Sequence, residues 1–267
     1  MQNKFDIQGR VKEQYKNSCN LSARLNLHSF NTNKLDWHVW FFEKMDIPEN
    51  SKILELGCGN GVLWQVNKQA VKENWDITLS DFSEGMLQDS KQNISIEKVK
   101  FEIIDIQEIP YEDESFDIII ARHMLYHVPD IDKALSEVKR VLKPNGKFYV
   151  STNGKGHMQE LIELVKKYDK YINFNPSKFA DKFGIENGNE MLKQYFNNVS
   201  AENFDGQIVV HKAEPVVSYV TSIISAKECL SNEQELESFY KYIEKEIDKK
   251  GTFSITTKVG MFIVTKL

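Results

Sequence analysis

Hydrophobic positions along the middle of the chain switch repeatedly between two spacings. Short apolar runs recur at Ser51-Lys52-Ile53-Leu54-Glu55-Leu56, Asp76-Ile77-Thr78-Leu79-Ser80, Val99 to Ile104, Phe116 to Ala121 and Lys147 to Ser151. Each is short enough for a strand, and the fourth is almost wholly apolar, as a strand covered on both faces should be. Between them apolar residues fall at helical spacing. Leu63, Val66 and Ala70 share one face, Met86 and Leu87 follow a capping Ser83, and Ala134, Leu135, Val138 and Leu142 follow a capping Asp130. Strands alternating with helices from residue 52 to about 152 imply a parallel sheet with right-handed crossovers.

The flanks read differently. Before the core, Asn33 is placed as a helix cap with Asp36 at N3, and Trp37, Trp40, Phe41 and Met45 form an apolar face read as core packing. After the core come a helix from His157 to Ile172 and a connection rich in lysine and asparagine. Strand-like segments at Asn198 to Phe204 and Ile208 to Val210 follow, then helices near 215–225 and 232–249. The chain closes on Phe253 to Thr257 and Met261 to Thr265, with Gly260 placed to turn a hairpin between them. The expected division is a helical lid over 1–47, a core over 48–153, and an acceptor-binding insertion with closing strands over 154–267.

Composition narrows the class. The 267 residues are 41% hydrophobic and 27% charged, ordinary values for a globular chain able to bury its own core. A net charge of −5 argues against a nucleic-acid partner, which calls for a basic face. No apolar run reaches membrane-spanning length and the first residues lack a signal-peptide core. Cys19, Cys58 and Cys229 are odd in number, far apart and in no metal-ligand spacing. A reducing, cytoplasmic setting without a structural metal is therefore expected.

The chemistry centres on the end of the first strand, Leu54-Glu55-Leu56-Gly57-Cys58-Gly59-Asn60-Gly61-Val62. A strand, a glycine-rich turn and a helix N-terminus together bring unpaired N–H donors close to a ligand. Dinucleotide-binding G-x-G-x-x-G would want glycine at Val62; here the spacing is G-x-G-x-G. The second strand ends in Asp81, about two dozen residues on, where a carboxylate can accept both ribose hydroxyls. Phe82 and Met86 follow it and could lie against an adenine ring, although Met86 suits the core equally. The third strand ends in Asp105-Ile106, and Phe116-Asp117 enters the fourth.

These four places, in register with five predicted strands, resemble the class I S-adenosylmethionine (SAM) methyltransferases. The fourth strand's continuation, Ala121-Arg122-His123-Met124-Leu125-Tyr126-His127-Val128-Pro129-Asp130, with Arg140 to Lys147, resembles the ubiquinone/menaquinone-type and small-molecule subgroup. The resemblance is specific from about residue 50 to 152. It implies an α/β fold: a Rossmann-like seven-stranded sheet with helices on both faces, an N-terminal helical lid and a C-terminal insertion. SAM is the implied cofactor and S-adenosylhomocysteine its product. The implied cofactor contacts are Glu55, Gly57, Cys58 and Gly59 at the first turn, Asp81, Phe82 and Met86 at the second, and Asp105 and Ile106 at the third. In such enzymes the backbone near Ala121 and Arg122 faces the methionine end of SAM, and an N-terminal tyrosine or arginine can take its carboxylate.

Only Arg10, Arg24, Arg122 and Arg140 among the 34 basic residues are arginine, which marks Arg24, with Tyr15 nearby, as that ligand or as an ordinary surface ion pair. His123 and His127 are the candidate general bases, His127 equally as a packing or capping residue. Their H-x-x-x-H spacing follows a strand end and precedes Pro129, without the glutamate of a zinc helix, so no metal is expected. No Asn/Asp-Pro-Pro-aromatic segment stands at Ala121-Arg122-His123-Met124. The expected reaction is methyl transfer from SAM to an N, O or C atom of a small molecule, by a monomer or homodimer. A protein or RNA methyltransferase and a non-catalytic SAM-binding protein are the alternatives.

Overall fold

A computed structural model describes residue 9, residues 13–16 and residues 18–267. The remainder of the expected lid, including Phe5 and Arg10, lies outside the described residues. Ahead of the core lie α1 (Cys19–His28) and α2 (Trp37–Glu43). The core follows as β1 (Lys52–Leu56), α3 (Val62–Val66), β2 (Asp76–Asp81), α4 (Glu84–Asn93), β3 (Lys100–Ile103), β4 (Phe116–Arg122), α5 (Ile131–Val141) and β5 (Leu142–Asn153). The C-terminal part adds α6 (Gln159–Tyr168), α7 (Ile185–Lys193), β6 (Asn198–Asn203), β7 (Gly206–Val210), α8 (Ala213–Thr221), α9 (Ile224–Lys227), α10 (Glu233–Asp248), β8 (Phe253–Thr257) and β9 (Val259–Thr265). No helix among the described residues is long and apolar enough to cross a membrane.

The main sheet has seven strands in the order β3-β2-β1-β4-β5-β9-β6. Strands β1 to β5 run parallel, and β9 is antiparallel to both β5 and β6. This is the Rossmann-like α/β sheet the sequence pattern implied. The order reverses between β1 and β4, so the loops leaving those strands open a crevice at their carboxyl ends.

The period of two in each strand divides the core into two layers. Leu54, Leu56, Ile119, Ala121, Phe148 and Val150 pack against α5 and α7 on one face. Ile53, Ile118, Ile120 and Tyr149 pack against α2, α3 and α4 on the other. A third core belongs to the C-terminal part, where Leu161, Val165, Val216, Val220, Phe239 and Ile243 surround the ribbon β7–β8. Leu27 of α1 is buried in this third core. The chain after α1 is stitched to β7 as well, with Thr32 N–H donating to the Gln207 carbonyl (2.8 Å) and Val209 N–H to that of Phe30 (3.1 Å).

Three local expectations are corrected. The cap of α2 is Asp36, whose Oδ1 accepts His38 N–H at 2.7 Å and Val39 N–H at 3.3 Å, while Asn33 donates to the Asp205 carbonyl instead. The helix after β1 is only five residues long and buries Leu63 and Trp64; Val66 is 46% exposed and Ala70 lies in a following 3₁₀ turn. Gly260 turns no hairpin, because β8 and β9 belong to different sheets. It lies inside β9 opposite Thr152 and Asn203, where an added Cβ would sit 2.9 Å from the Glu202 carbonyl.

Candidate active site

One cavity of about 690 Å³ opens at the carboxyl ends of β1, β2, β3 and β4, within the range typical of small-molecule sites. The glycine turn forms its floor. Gly57, Gly59 and Gly61 have φ of +71°, +58° and +77°, a left-handed region costly for other residues. Gly59 faces the cavity, whereas a Cβ on Gly61 would meet Ile94 Cδ1 at 2.5 Å, so Gly61 lets α3 and α4 approach. Cys58 also lines the cavity, and burial, then the charges of Glu55 and Asp81, push its thiol well above its ordinary pKa. It is therefore an inert thiol rather than a nucleophile.

The second turn is tied to the first by a carboxylate. Asp81 Oδ2 accepts Gly59 N–H at 3.0 Å and Oδ1 accepts Ser83 N–H at 2.8 Å. Burial raises its pKa, and the backbone donors at Ser83 and Gly59 work against that shift. Phe82, Met86, Asp105 and Ile106 line the same end of the cavity. Asp105 is held by its own turn, Oδ1 accepting Gln107 N–H at 2.9 Å. These residues, drawn from three strand ends, form a cradle lined by backbone, two carboxylates and apolar side chains.

Tyr15 and Arg24 cover this end. The Ser83 hydroxyl donates to the Tyr15 carbonyl at 2.7 Å, and Arg24 Nη1 donates to the Tyr15 hydroxyl at 3.1 Å. The remaining Arg24 donors go to the Ser222 hydroxyl and carbonyl. All these partners are neutral, so Arg24 meets no carboxylate among the described residues.

Glu55 is the expected cofactor residue that does not reach the cavity. It is fully buried, with Oε1 accepting Arg122 Nε at 3.0 Å and Oε2 accepting Trp64 Nε1 at 2.6 Å. A direct contact is thus corrected to an indirect one: Glu55 holds Arg122, which lines the cavity and also donates to His38 Nδ1 at 2.9 Å.

The two candidate bases separate. His127 shares a hydrogen bond with Tyr15 through Nε2 at 3.0 Å and sits among the rings of Tyr15, Tyr126 and Phe179. Burial, followed by the charges of Arg24, Lys182 and Lys178, lowers its pKa to about 3. His123 follows β4 with φ +51°, an unfavourable backbone for a non-glycine residue and a hallmark of sites where a side chain must be aimed. Its imidazole faces the cavity, stands 5.4 Å from the Trp37 ring, and has no hydrogen-bond partner among the described residues. Burial, then Arg122, lowers its pKa to about 3 as well, so it is neutral at physiological pH.

Beyond His123 the cavity continues into a chamber lined from both the expected lid and the expected acceptor-binding insertion. Trp37 packs against the core of Phe41, Ile53 and Ile118, as expected, and also lines this chamber together with Asn153, His157, Phe204 and Thr257. Five of the six histidines line the whole cavity: His28, His38, His123, His127 and His157. Among the described residues, no three His, Cys, Asp or Glu side chains are grouped as a metal site.

The profile of a methyltransferase domain family matches residues 47–259, most of the chain. A demethylmenaquinone methyltransferase of Staphylococcus aureus (strain JH9) is 32% identical over 148 residues, 55% of this chain and 61% of that relative. The match therefore spans less than two thirds of the relative's length. Among solved structures, the YcgJ protein from Bacillus subtilis aligns over 86% of this chain and 97% of its own, with TM-score 0.54 and 17% identity. A Haemonchus contortus phosphoethanolamine N-methyltransferase 2, in complex with phosphomonomethylethanolamine and S-adenosylhomocysteine, aligns over 86% and 52%, with TM-score 0.52 and 18% identity. The [4+2]-cyclase SpnF aligns over 96% and 95%, with TM-score 0.55 and 15% identity. At these identities the structures show a shared fold, and the cyclase illustrates that one fold hosts different chemistry. The chain belongs to the methyltransferase domain family.

Proposed function

We propose that the enzyme methylates a small molecule held in the same cavity as SAM, with His123 as the proton acceptor. The observation that carries this reading is the continuity of one cavity from the Gly57–Gly59 turn, Asp81 and Asp105 to the chamber of Trp37, His123, Asn153 and His157. On this reading residues 1–47 cap the site, 48–153 hold the cofactor, and 154–267 supply acceptor contacts and the closing strands. A reducing, cytoplasmic setting is part of the same reading.

The cradle fits SAM in shape and in donor set. Asp81, anchored by Gly59 and Ser83, has the geometry to accept ribose hydroxyls, and Asp105 with the Ile106 backbone stands where an adenine edge can be met. Phe82 and Met86 offer apolar surface to the base. The Gly57, Cys58 and Gly59 backbone passes under the ligand. Arg24, without a carboxylate of its own, supplies the countercharge for the methionine carboxylate, and Tyr15 orients it. Arg122, fixed by Glu55, borders the methyl-transfer region.

Held by the Gly57–Gly59 backbone, Asp81 and Asp105, SAM would supply an electrophilic methyl to the acceptor's lone pair, with S-adenosylhomocysteine as the leaving group. The protein contributes alignment, exclusion of water and a base. Burial keeps His123 neutral but also makes it a weak base, so it accepts the acceptor's proton only as methylation makes that proton strongly acidic. That proton restores to the cavity the positive charge that methyl transfer removes, so the net charge within the buried site is conserved. Tyr15 closes the cofactor end against water.

The test is a screen of small-molecule acceptors with SAM, read by a mass gain of one CH₂ on the acceptor and equimolar S-adenosylhomocysteine. Methyl transfer confined to protein or RNA substrates would overturn the reading.

A further inference from the structure

The C-terminal part places one imidazole in the chamber with its protonation already decided. His157 lies in the turn between β5 and α6, where its backbone N–H donates to the Gly154 carbonyl at 3.2 Å. Met158 N–H donates to the Thr256 carbonyl at 2.9 Å, and Gly154 N–H to that of Lys258 at 3.0 Å, so the turn is clipped to the link between β8 and β9. From that link Lys258 N–H donates to His157 Nδ1 at 3.2 Å. Turning the ring would break this bond.

A backbone N–H only donates, so Nδ1 carries the lone pair. The ring is neutral, because burial, followed by the neighbouring His28 and His123, holds its pKa well below the ordinary value. A neutral imidazole has one N–H, which here is on Nε2. Nothing among the described residues accepts it. The residue is 3% exposed and lines the cavity, and Nε2 keeps accessible surface, unlike the sealed Nε1 of Trp37. His38, also in the cavity wall, is set the same way: Arg122 Nη1 donates to its Nδ1 at 2.9 Å, and burial keeps the ring neutral with a pKa of about 3. The two imidazoles whose tautomer the fold fixes both offer an N–H.

A fixed donor calls for a ligand atom with a lone pair. No spare cation accompanies it, since Arg122 is paired with Glu55 and Arg24 stands with Tyr15 at the cofactor end. A carboxylate or phosphate here would lose its hydration without a countercharge, whereas an uncharged oxygen gives up far less. The rings of Trp37 and Phe204, 5.4 Å apart, add apolar walls suited to a flat body.

Resting on the reading that the acceptor is a small molecule, we propose that His157 is a specificity-determining residue whose Nε2–H donates to an uncharged carbonyl oxygen on a flat, ring-bearing acceptor. The bond orients the acceptor and is separate from the atom that gains the methyl.

The experiment uses full-length, ¹⁵N-labelled protein saturated with S-adenosylhomocysteine at pH 7. Ring-nitrogen NMR signals of His157, assigned through its backbone, should show Nε2 protonated and Nδ1 bare. Titrations followed by backbone amide shifts then compare 2-acetylnaphthalene with 2-isopropenylnaphthalene, the same shape with C=CH₂ in place of C=O. The ketone is expected to bind about fivefold or more tightly, the scale of one buried hydrogen bond, and to shift the Nε2 proton downfield. His157→Asn keeps an acceptor for Lys258 N–H and removes the Nε2 donor, so the preference should vanish. His157→Gln returns an amide N–H near the Nε2 position and should restore part of it. A proton on Nδ1, equal binding of the two probes, binding of neither, or a preference that survives His157→Asn overturns the proposal. If the variants do not fold, the tautomer and the two-probe comparison on the unmodified protein decide. Failure of S-adenosylhomocysteine itself to bind would instead strike the cofactor assignment, which separates the two readings.

Discussion

The Tyr15 hydroxyl is 3.0 Å from Nε2 of His127, and the same hydroxyl receives Arg24 Nη1 at 3.1 Å. This engages His127 Nε2 with Tyr15 at the cofactor end, and on the proposed reading His127 takes no part in the chemistry. Tyr15→Phe should weaken S-adenosylhomocysteine binding by about 0.5–1.5 kcal/mol, the scale of one lost hydrogen bond, and leave turnover at saturating SAM nearly intact. Calorimetry and steady-state kinetics check it. A collapse of kcat with unchanged cofactor affinity would make the pair part of the chemical step.

His123 has the opposite profile, since its imidazole is free to meet substrate and its backbone at φ +51° aims it into the cavity. For an acceptor that must lose a proton, His123→Gln should lower kcat by about 10²–10⁴-fold with S-adenosylhomocysteine affinity unchanged. Burial and Arg122 lower its pKa to about 3, so the neutral form persists to well below pH 6 and no acid limb near 6.5 should appear in the pH–rate profile. A limb at 6.5 lost in His123→Gln would show a solvated, ordinary histidine.

Glu55 is expected to matter for folding before binding. Glu55→Gln leaves Arg122, only 9% exposed, without its countercharge. Loss of one partner of a buried pair costs about 3–5 kcal/mol, which urea unfolding would register. Unchanged stability with abolished cofactor binding would restore Glu55 as a direct ligand.

The buried histidines make the fold sensitive to acid. His28 stands at about 4, and His38, His123 and His127 at about 3, all lowered first by burial. Unfolding lets each return to its ordinary value near 6.5, so below that pH the unfolded state binds more protons than the folded one. Their contribution is fully present above pH 6.5 and is lost as pH falls toward 3. Thermal melts should show Tm constant from pH 8 to 7 and falling steeply from pH 6 to 4; a flat Tm across that range would contradict the burial.

The cofactor half was legible because its signals are local. Each strand end is marked in the sequence, and Gly57, Asp81 and Asp105 do line one cavity at the ends of three strands, while the caps Ser83 and Asp130 are where their residue types indicated. For the chamber only the contributing parts and His123 were legible; its other walls, Trp37, His157, Phe204 and Thr257, are brought together by long-range packing that no local pattern marks. Trp37 and Phe41 share an aromatic pattern, yet Phe41 is fully buried while Trp37 lines the cavity, and no period separates those fates. Gly260 misled for a related reason: a glycine between two apolar runs reads as a turn unless the partner strand that crowds it is known.

The most direct measurement is a crystal structure of the ternary complex with S-adenosylhomocysteine and a methyl acceptor identified by screening. The account predicts ribose hydroxyls on Asp81, adenine beside Asp105, and the acceptor between Trp37, His123 and His157. An acceptor seated on an outer surface, or a cofactor lying away from the Gly57–Gly59 turn, would contradict it.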